Sequence, residues 1–417
     1  MNSFGGSRLR RAAAVVLSCA LAVTVAGCTI EGSAKPIDPN AAIDVNALDS
    51  GNYKTKPPNE GLGTVKSDSQ GKLWEAKRLA NYVINPVQVD DSLTRFVQPT
   101  FPIRDAAALS NGFGAVFTKA TGAPAFKYNM DFGFIAGRAS ETSTTDNKNS
   151  SSLLIGVFVF PDDAAAKGAA DEFLAAHKAP DPLIDPNKVP DTKPVSLPDY
   201  PDARALYTED NTDKKPVISV FYPKGRYVIY QWVEGRKALP DLVTTAQTTL
   251  SKELPLLDQF KPTPNDKLKD IPLDTDNMLV RTLPADEPDS HQSAVYDQRG
   301  GIHFQTNSKI AEDNFAKAGV DRVSPGAASV YRAKDDQSAQ QLLGLFYDEL
   351  KSAYKPIASP DGLPAVRCYK LSDTKQAYAQ FWCLGSRGRY AFEVTSSQMN
   401  DVYQKAAAEI KILVNNE

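Results

Sequence analysis

Imidazoles and thiols are nearly missing from this chain, whose 417 residues hold three histidines and four cysteines. His177, His291 and His303 lie far from one another, so the sequence assigns no metal ligands. Charge of one sign is never concentrated: 47 Lys and Arg stand against 50 Asp and Glu, without long runs. That dispersal excludes the electrostatic footprint of a nucleic-acid binder. Catalytic signatures are absent as well, with no Gly-x-Ser-x-Gly, P-loop, Gly-x-Gly-x-x-Gly or His-Glu-x-x-His. Ser352-Ala353-Tyr354-Lys355 matches Ser-x-x-Lys in letters only, because its serine closes a predicted helix and no Lys-Thr-Gly partner exists. Asp274-Thr275-Asp276-Asn277 lacks the glycine and distal glutamate of a calcium loop. No catalytic residue and no cofactor site is therefore assigned.

The one notable apolar run lies near the start. Arg8, Arg10 and Arg11 precede Ala12–Val25, and Val25-Ala26-Gly27-Cys28 follows. This is a positive n-region, an h-region too short to span a bilayer, and a small-residue cut site. The segment resembles a bacterial lipoprotein signal. The resemblance implies cleavage of residues 1–27 and acylation of the Cys28 thiol, a palmitate-type anchor on the extracytoplasmic face of the cell membrane. Two or three acyl chains suffice for stable attachment, since each buried methylene contributes ~0.8 kcal/mol. The processed chain keeps 44 basic against 50 acidic side chains and no apolar run near membrane length.

Cys19 leaves with the signal and Cys28 is acylated, so Cys368 and Cys383 remain. An even pair outside the cytosol reads as a disulfide. The two are also equidistant from a turn around Lys375-Gln376, which sets them opposite each other on neighbouring strands.

Residues 28–72 are rich in Asp, Asn, Gly, Pro, Ser and Lys without periodicity, and read as a flexible tether. The body beyond is duplicated. Val157-Phe158-Val159-Phe160 leads to Asp162-Asp163 and a helix carrying Phe173; Ser329-Val330-Tyr331 leads to Asp335-Asp336 and a helix carrying Phe346. Pro201–Ala205 then matches Pro364–Cys368, and Lys224-Gly225-Arg226-Tyr227 matches Arg387-Gly388-Arg389-Tyr390. The offset falls by ten across Ala179–Asp202, a Pro-rich stretch that tolerates insertion.

Each unit reads as strand, helix, three strands and helix. The first has strands at 153–160, 203–208, 216–222 and 226–233 with a helix at 162–177; the second has strands at 327–332, 365–371, 377–384 and 389–395 with a helix at 336–354. Closing helices carry Leu239, Leu242, Val243, Ala246 and Leu250, and Val402, Ala406, Ile410 and Leu413. Gly225 and Gly388 supply the positive φ of a hairpin turn. Asn129–Arg138 and Gly301–Asn307 are expected as strands, Trp74–Val83 and Ile310–Lys317 as helices, and Ser140–Ser152 as a loop. The fold class is α+β: two repeated domains, 73–262 and 270–417, each an antiparallel sheet covered by two helices, joined by Lys261–Asp270.

Tyr227 and Tyr390 open strands beside Arg226 and Arg389. An aromatic there packs on a sheet, and beside an arginine it also suits ligand stacking; these four residues are the ligand-binding candidates. His177 and His291 are expected in solvent, and His303 in a strand.

With Glu75-Ala76-Lys77-Arg78-Leu79-Ala80-Asn81-Tyr82-Val83, Val89-Asp90 and the duplicated units in hand, the chain resembles uncharacterised secreted lipoproteins of mycolic-acid-bearing actinobacteria. That resemblance implies location and architecture, not activity. Each unit is also similar, at fold level, to extracellular sensor domains of actinobacterial serine/threonine kinases. The expected role is a non-catalytic binding module for an envelope lipid, another envelope ligand or a protein partner, with the inter-unit cleft as contact surface. The alternatives are a lipid carrier and an envelope-directed hydrolase built on His303, Glu312 and Asp313.

Overall fold

The computed structural model describes residues 38–56, 61–110, 116–140, 150–209, 215–285, 291–373 and 379–417. The expected signal segment with its Val25–Cys28 motif, most of the expected Ser140–Ser152 loop and the expected Lys375-Gln376 turn lie outside them. Asp38–Glu417 form one compact unit.

In the first half, α1 (Asp68–Leu79) precedes β1 (Arg95–Ile103), the short α2 (Ala106–Ser110) and α3 (Ala123–Lys127), and β2 (Phe132–Ala139) with β3 (Ser152–Val159). Helix α4 (Asp163–Ala176) leads to β4 (Lys193–Pro194), β5 (Arg204–Thr208), β6 (Val217–Lys224), β7 (Tyr227–Glu234) and α5 (Leu239–Leu257). The second half begins with α6 (Gln298–Ile302), α7 (Ser308–Ala318), β8 (Arg322–Ser324) and β9 (Ala328–Arg332). It continues through α8 (Asp336–Leu350), β10 (Tyr354–Ile357), β11 (Arg367–Leu371), β12 (Phe381–Arg387), β13 (Tyr390–Ser396) and α9 (Met399–Asn415).

The sheets run β1-β2-β3-β7-β6-β5-β4 and β10-β11-β12-β13-β9-β8, every pairing antiparallel. Read from the β4 and β10 edges they are the same sheet, with β1 added in the first half. The register repeats too. Phe158 pairs with Val228 and Tyr331 with Ala391, so the two aromatics occupy equivalent positions. Gly225 and Gly388 both turn at φ +53°. Asp162 and Asp335 both cap the following helix, accepting from Ala165 N–H and Ser338 N–H at 2.8 Å. Duplication is thus written in hydrogen bonds as well as letters.

Helices cover both faces of each sheet. Leu79, Ala80 and Leu250 fill one side of the first, and Ala166, Ala170 and Phe173 the other. Val402, Ala406 and Ile410 fill one side of the second, and Phe315, Leu342 and Phe346 the other. Cys368 and Cys383 are directly paired and disulfide-bonded, with Cα atoms 4.1 Å apart. Their counterparts Ala205 and Val220 pair identically.

Several expectations give way. Gly301–Asn307 is not a strand: Asp297 caps α6, and Gly300 and Gly301 let the backbone close on Asn81 and Val323. The predicted 336–354 helix stops at Leu350, and Tyr354 enters β10. The tether reading fails over residues 38–56, which lie along the second half. There Leu48 is buried, Asn40 bonds Asp336 (3.1 Å), and Tyr53 donates to Asp401 (2.5 Å). The joining segment is itself ordered, as a 3-10 helix over Asn265–Asp270 whose Leu268 sits against Gly71 of α1.

Candidate functional site

Helix α1 builds the wall between the halves. Its start is capped by Ser67, whose hydroxyl accepts from Gln70 N–H at 3.2 Å, and its apolar side sinks Ala76 and Leu79 into the first core. The polar residues of the Glu75–Val83 motif face the seam. Glu75 is fully buried and takes four bonds: Arg78 Nε (2.9 Å) and Nη2 (2.7 Å), Thr263 N–H (2.8 Å) and Thr263 Oγ1 (3.0 Å). Lys77 donates to Gln292 O at 2.8 Å and lies 4.1 Å from the Trp74 ring centre. Asn81 Oδ1 accepts from Asp297 N–H at 3.1 Å. One short motif therefore grips the joining segment and the second half together.

A second clamp lies deeper. Arg138 of β2 is fully buried, and its guanidinium donates to the Ser308 hydroxyl and to the carbonyls of Gly137 (2.7 Å), Ile302 (3.0 Å) and His303 (2.8 Å). Burial pulls its pKa down to about 9. At the outer edge of β1, Phe96 N–H reaches Thr306 O (3.0 Å) and Ser308 N–H reaches Thr94 O (3.0 Å), so the second half covers that edge.

Between the α1 clamp and the joining segment opens a cleft of about 560 Å³. Lys77, Arg78, Lys261, Lys267 and Arg322 line it against Glu75, Asp270 and Asp297. Its surplus is cationic. The cleft opens between the halves, and its lining comes from α1, the joining segment and the start of the second half, not from the hairpin candidates.

Those candidates are spent on the repeat. Arg226 Nε donates to Phe160 O (2.8 Å) and Nη2 to Asp131 (3.0 Å). Arg389 Nε donates to Ala333 O at the same 2.8 Å and lies 3.9 Å from Asp321. Tyr227 packs on the first core, and Tyr390 on the second under the Arg281 guanidinium. None of the four lines the cleft.

The hydrolase residues do not converge. His303 follows α6 and is buried; its Nε2 meets Val83 O at 3.0 Å, so that nitrogen carries the proton. Burial and the Arg138 charge press its pKa down to about 3. Glu312 bonds Gln88 (2.9 Å) and Asp313 bonds Lys309 (2.8 Å) on the outer side of α7. His177 and His291 are not in free solvent: His177 packs 5.0 Å from Phe221, and His291 stacks 4.6 Å from Phe304.

Sequence reasoning missed a small cavity of about 120 Å³ in the second half, lined by Glu349, Glu393, Gln305, His291 and Trp382. Glu393 accepts from Tyr331 OH (2.5 Å) and Glu349 from Asn314 (2.6 Å), and burial pushes both carboxyls up to about 7. Asn314, Glu349 and Glu393 lie on three different elements, and no local pattern links them.

Two family descriptions match the chain: domain of unknown function (DUF7373) N-terminal over residues 62–273, and domain of unknown function (DUF7373) C-terminal over residues 278–416. No curated protein matches. Among solved structures, the extracellular domain of PknH from Mycobacterium tuberculosis is 12% identical, with a TM-score of 0.27, covering 47% of this chain and 100% of that one.

Proposed function

The chain belongs to the DUF7373 family, and from that premise we propose that it is a non-catalytic binding module held by acylated Cys28 on the extracytoplasmic face of the cell membrane. Its ligand is an envelope component or protein partner seated in the cleft between the halves. One observation carries the reading. The Glu75–Asn81 motif fixes the cleft walls at a junction between repeats, a setting where ligands commonly bind, and leaves a net cationic lining. Export is supported by the Cys368–Cys383 disulfide, which persists in oxidising compartments, and by the lipoprotein-like start. No helix among the described residues is long and apolar enough to cross a membrane, and acylation would supply the anchor.

Native mass spectrometry of the processed protein tests this. The expected result is a co-purifying anionic ligand or partner that is lost from a Lys267→Glu, Arg322→Glu variant. Turnover of an envelope ester or glycan, abolished by His303→Ala, would overturn it.

A further inference from the structure

Beside the cleft lies a groove of opposite chemistry. The two share Trp74 and Leu273 as a common wall. The groove measures about 340 Å³, and Leu62, Trp74, Leu273, Leu279, Val280 and Ile412 supply its larger apolar side chains. All but Ile412 are half-buried, so aliphatic and indole surface faces water. Such surface gains ~25 cal/mol for every Å² that a ligand covers.

The rim is charged. Lys54 and Lys56 line the groove, both are exposed, and neither pairs with an acid among the described residues. Most other cations near the seam are engaged: Lys77 with a carbonyl, Arg78 with Glu75 and Arg322 with Asp276. An apolar trough with two unspent ammonium groups at its lip calls for a ligand with a tail and an anionic head. The volume sits at the small end of ligand pockets, enough for one chain. A helix is about 10–12 Å across with its side chains, so even one turn outgrows the trough.

We propose that this groove binds a single-chain fatty carboxylate, its tail along Trp74, Leu273 and Val280 and its carboxylate on Lys54 and Lys56. The assignment goes beyond the cleft reading, since it concerns a separate site and holds whether or not the cleft is filled.

The test is photolabelling of the full chain with a diazirine-bearing long-chain fatty acid, the labelled residues being mapped by mass spectrometry. Label is expected within residues 54–56, 62–74 and 273–284. The matching fatty alcohol, and the acid on a Lys54→Glu, Lys56→Glu variant, should each label about tenfold less, the scale of two exposed ion pairs. Both lysines are exposed, so the variant should keep the wild-type melting temperature; Leu279→Trp, which fills the trough, should block labelling independently. Label scattered over the surface would overturn the assignment, as would equal labelling by acid and alcohol. A polar ligand retained in the cleft without label in the groove would sink this inference and leave the cleft reading standing.

Discussion

Glu253 of α5 and Glu409 of α9 make the same contact in the two halves. Each is fully buried, and each gives Oε2 to the backbone N–H of the segment leading into its sheet, Ile84 and Leu283, both at 2.8 Å. Each leaves Oε1 without a hydrogen-bond partner among the described residues, and burial pushes both carboxyls up to about 8. The closing helix of each repeat thus pins its own leader through a protonated acid.

That protonation sets a pH dependence. A carboxyl at about 8 in the folded chain against an ordinary 4.5 contributes fully below pH 4.5 and loses its contribution as pH rises through 8. His303, held near 3, acts in the opposite sense, its contribution falling away as pH drops below 6.5. Melting temperature should therefore decline on both sides. Glu253→Gln and Glu409→Gln should flatten the alkaline limb by on the order of 1 kcal/mol per pH unit and bring no gain at pH 5. Calorimetry across pH 4–9 checks this, and parallel wild-type and variant limbs would refute it.

Reducing the Cys368–Cys383 bond opens a loop with a sequence separation of 15, and denaturant titration should read a loss of ~3 kcal/mol. Because Ala205 and Val220 pair as the cysteines do, the double variant Ala205→Cys, Val220→Cys should form a second disulfide. Intact mass after alkylation without reductant would detect it; two alkylated thiols at these positions would count against the equivalence.

Arg138→Met should be among the costliest single changes, roughly 3 kcal/mol or more, since it strands buried carbonyls on both sides of the seam. Lys has too few donors in the wrong geometry to replace it. Accelerated proteolysis within residues 261–275, together with a lowered melting temperature, is the expected outcome for both variants.

Cys28→Ala should abolish acylation, leaving precursor or released protein. Detergent partitioning equal to wild type would count against an anchor at Cys28.

The repeats were legible because Asp-Asp caps and Gly-Arg-Tyr hairpins are local, and local chemistry survives in letters. The cysteine pairing was legible for the same reason, as turn geometry. The cleft was half legible: the Glu75–Val83 motif stood out, but its bonds to Thr263 and Asp297 span sequence separations that no pattern connects. The His303 environment was illegible, because its burial depends on Arg138, Val83 and a helix that two glycines make possible. Residues 38–56 misled because scattered hydrophobes look unsupported until the surface that receives Leu48 is known.

That same segment decides how the molecule bears tension. Arg387 holds the carbonyl of Ala41 (3.0 Å) and also pairs with Glu417, while Gln404 and Lys411 of α9 hold Asp49 (3.0 Å) and Ser50 (3.2 Å). A pull on the chain upstream of Asp38 is therefore taken up in shear along the second half before it reaches α1. The first half, with the α1 wall of the cleft, is shielded from the load, as the core of a cable is by a strain-relief collar.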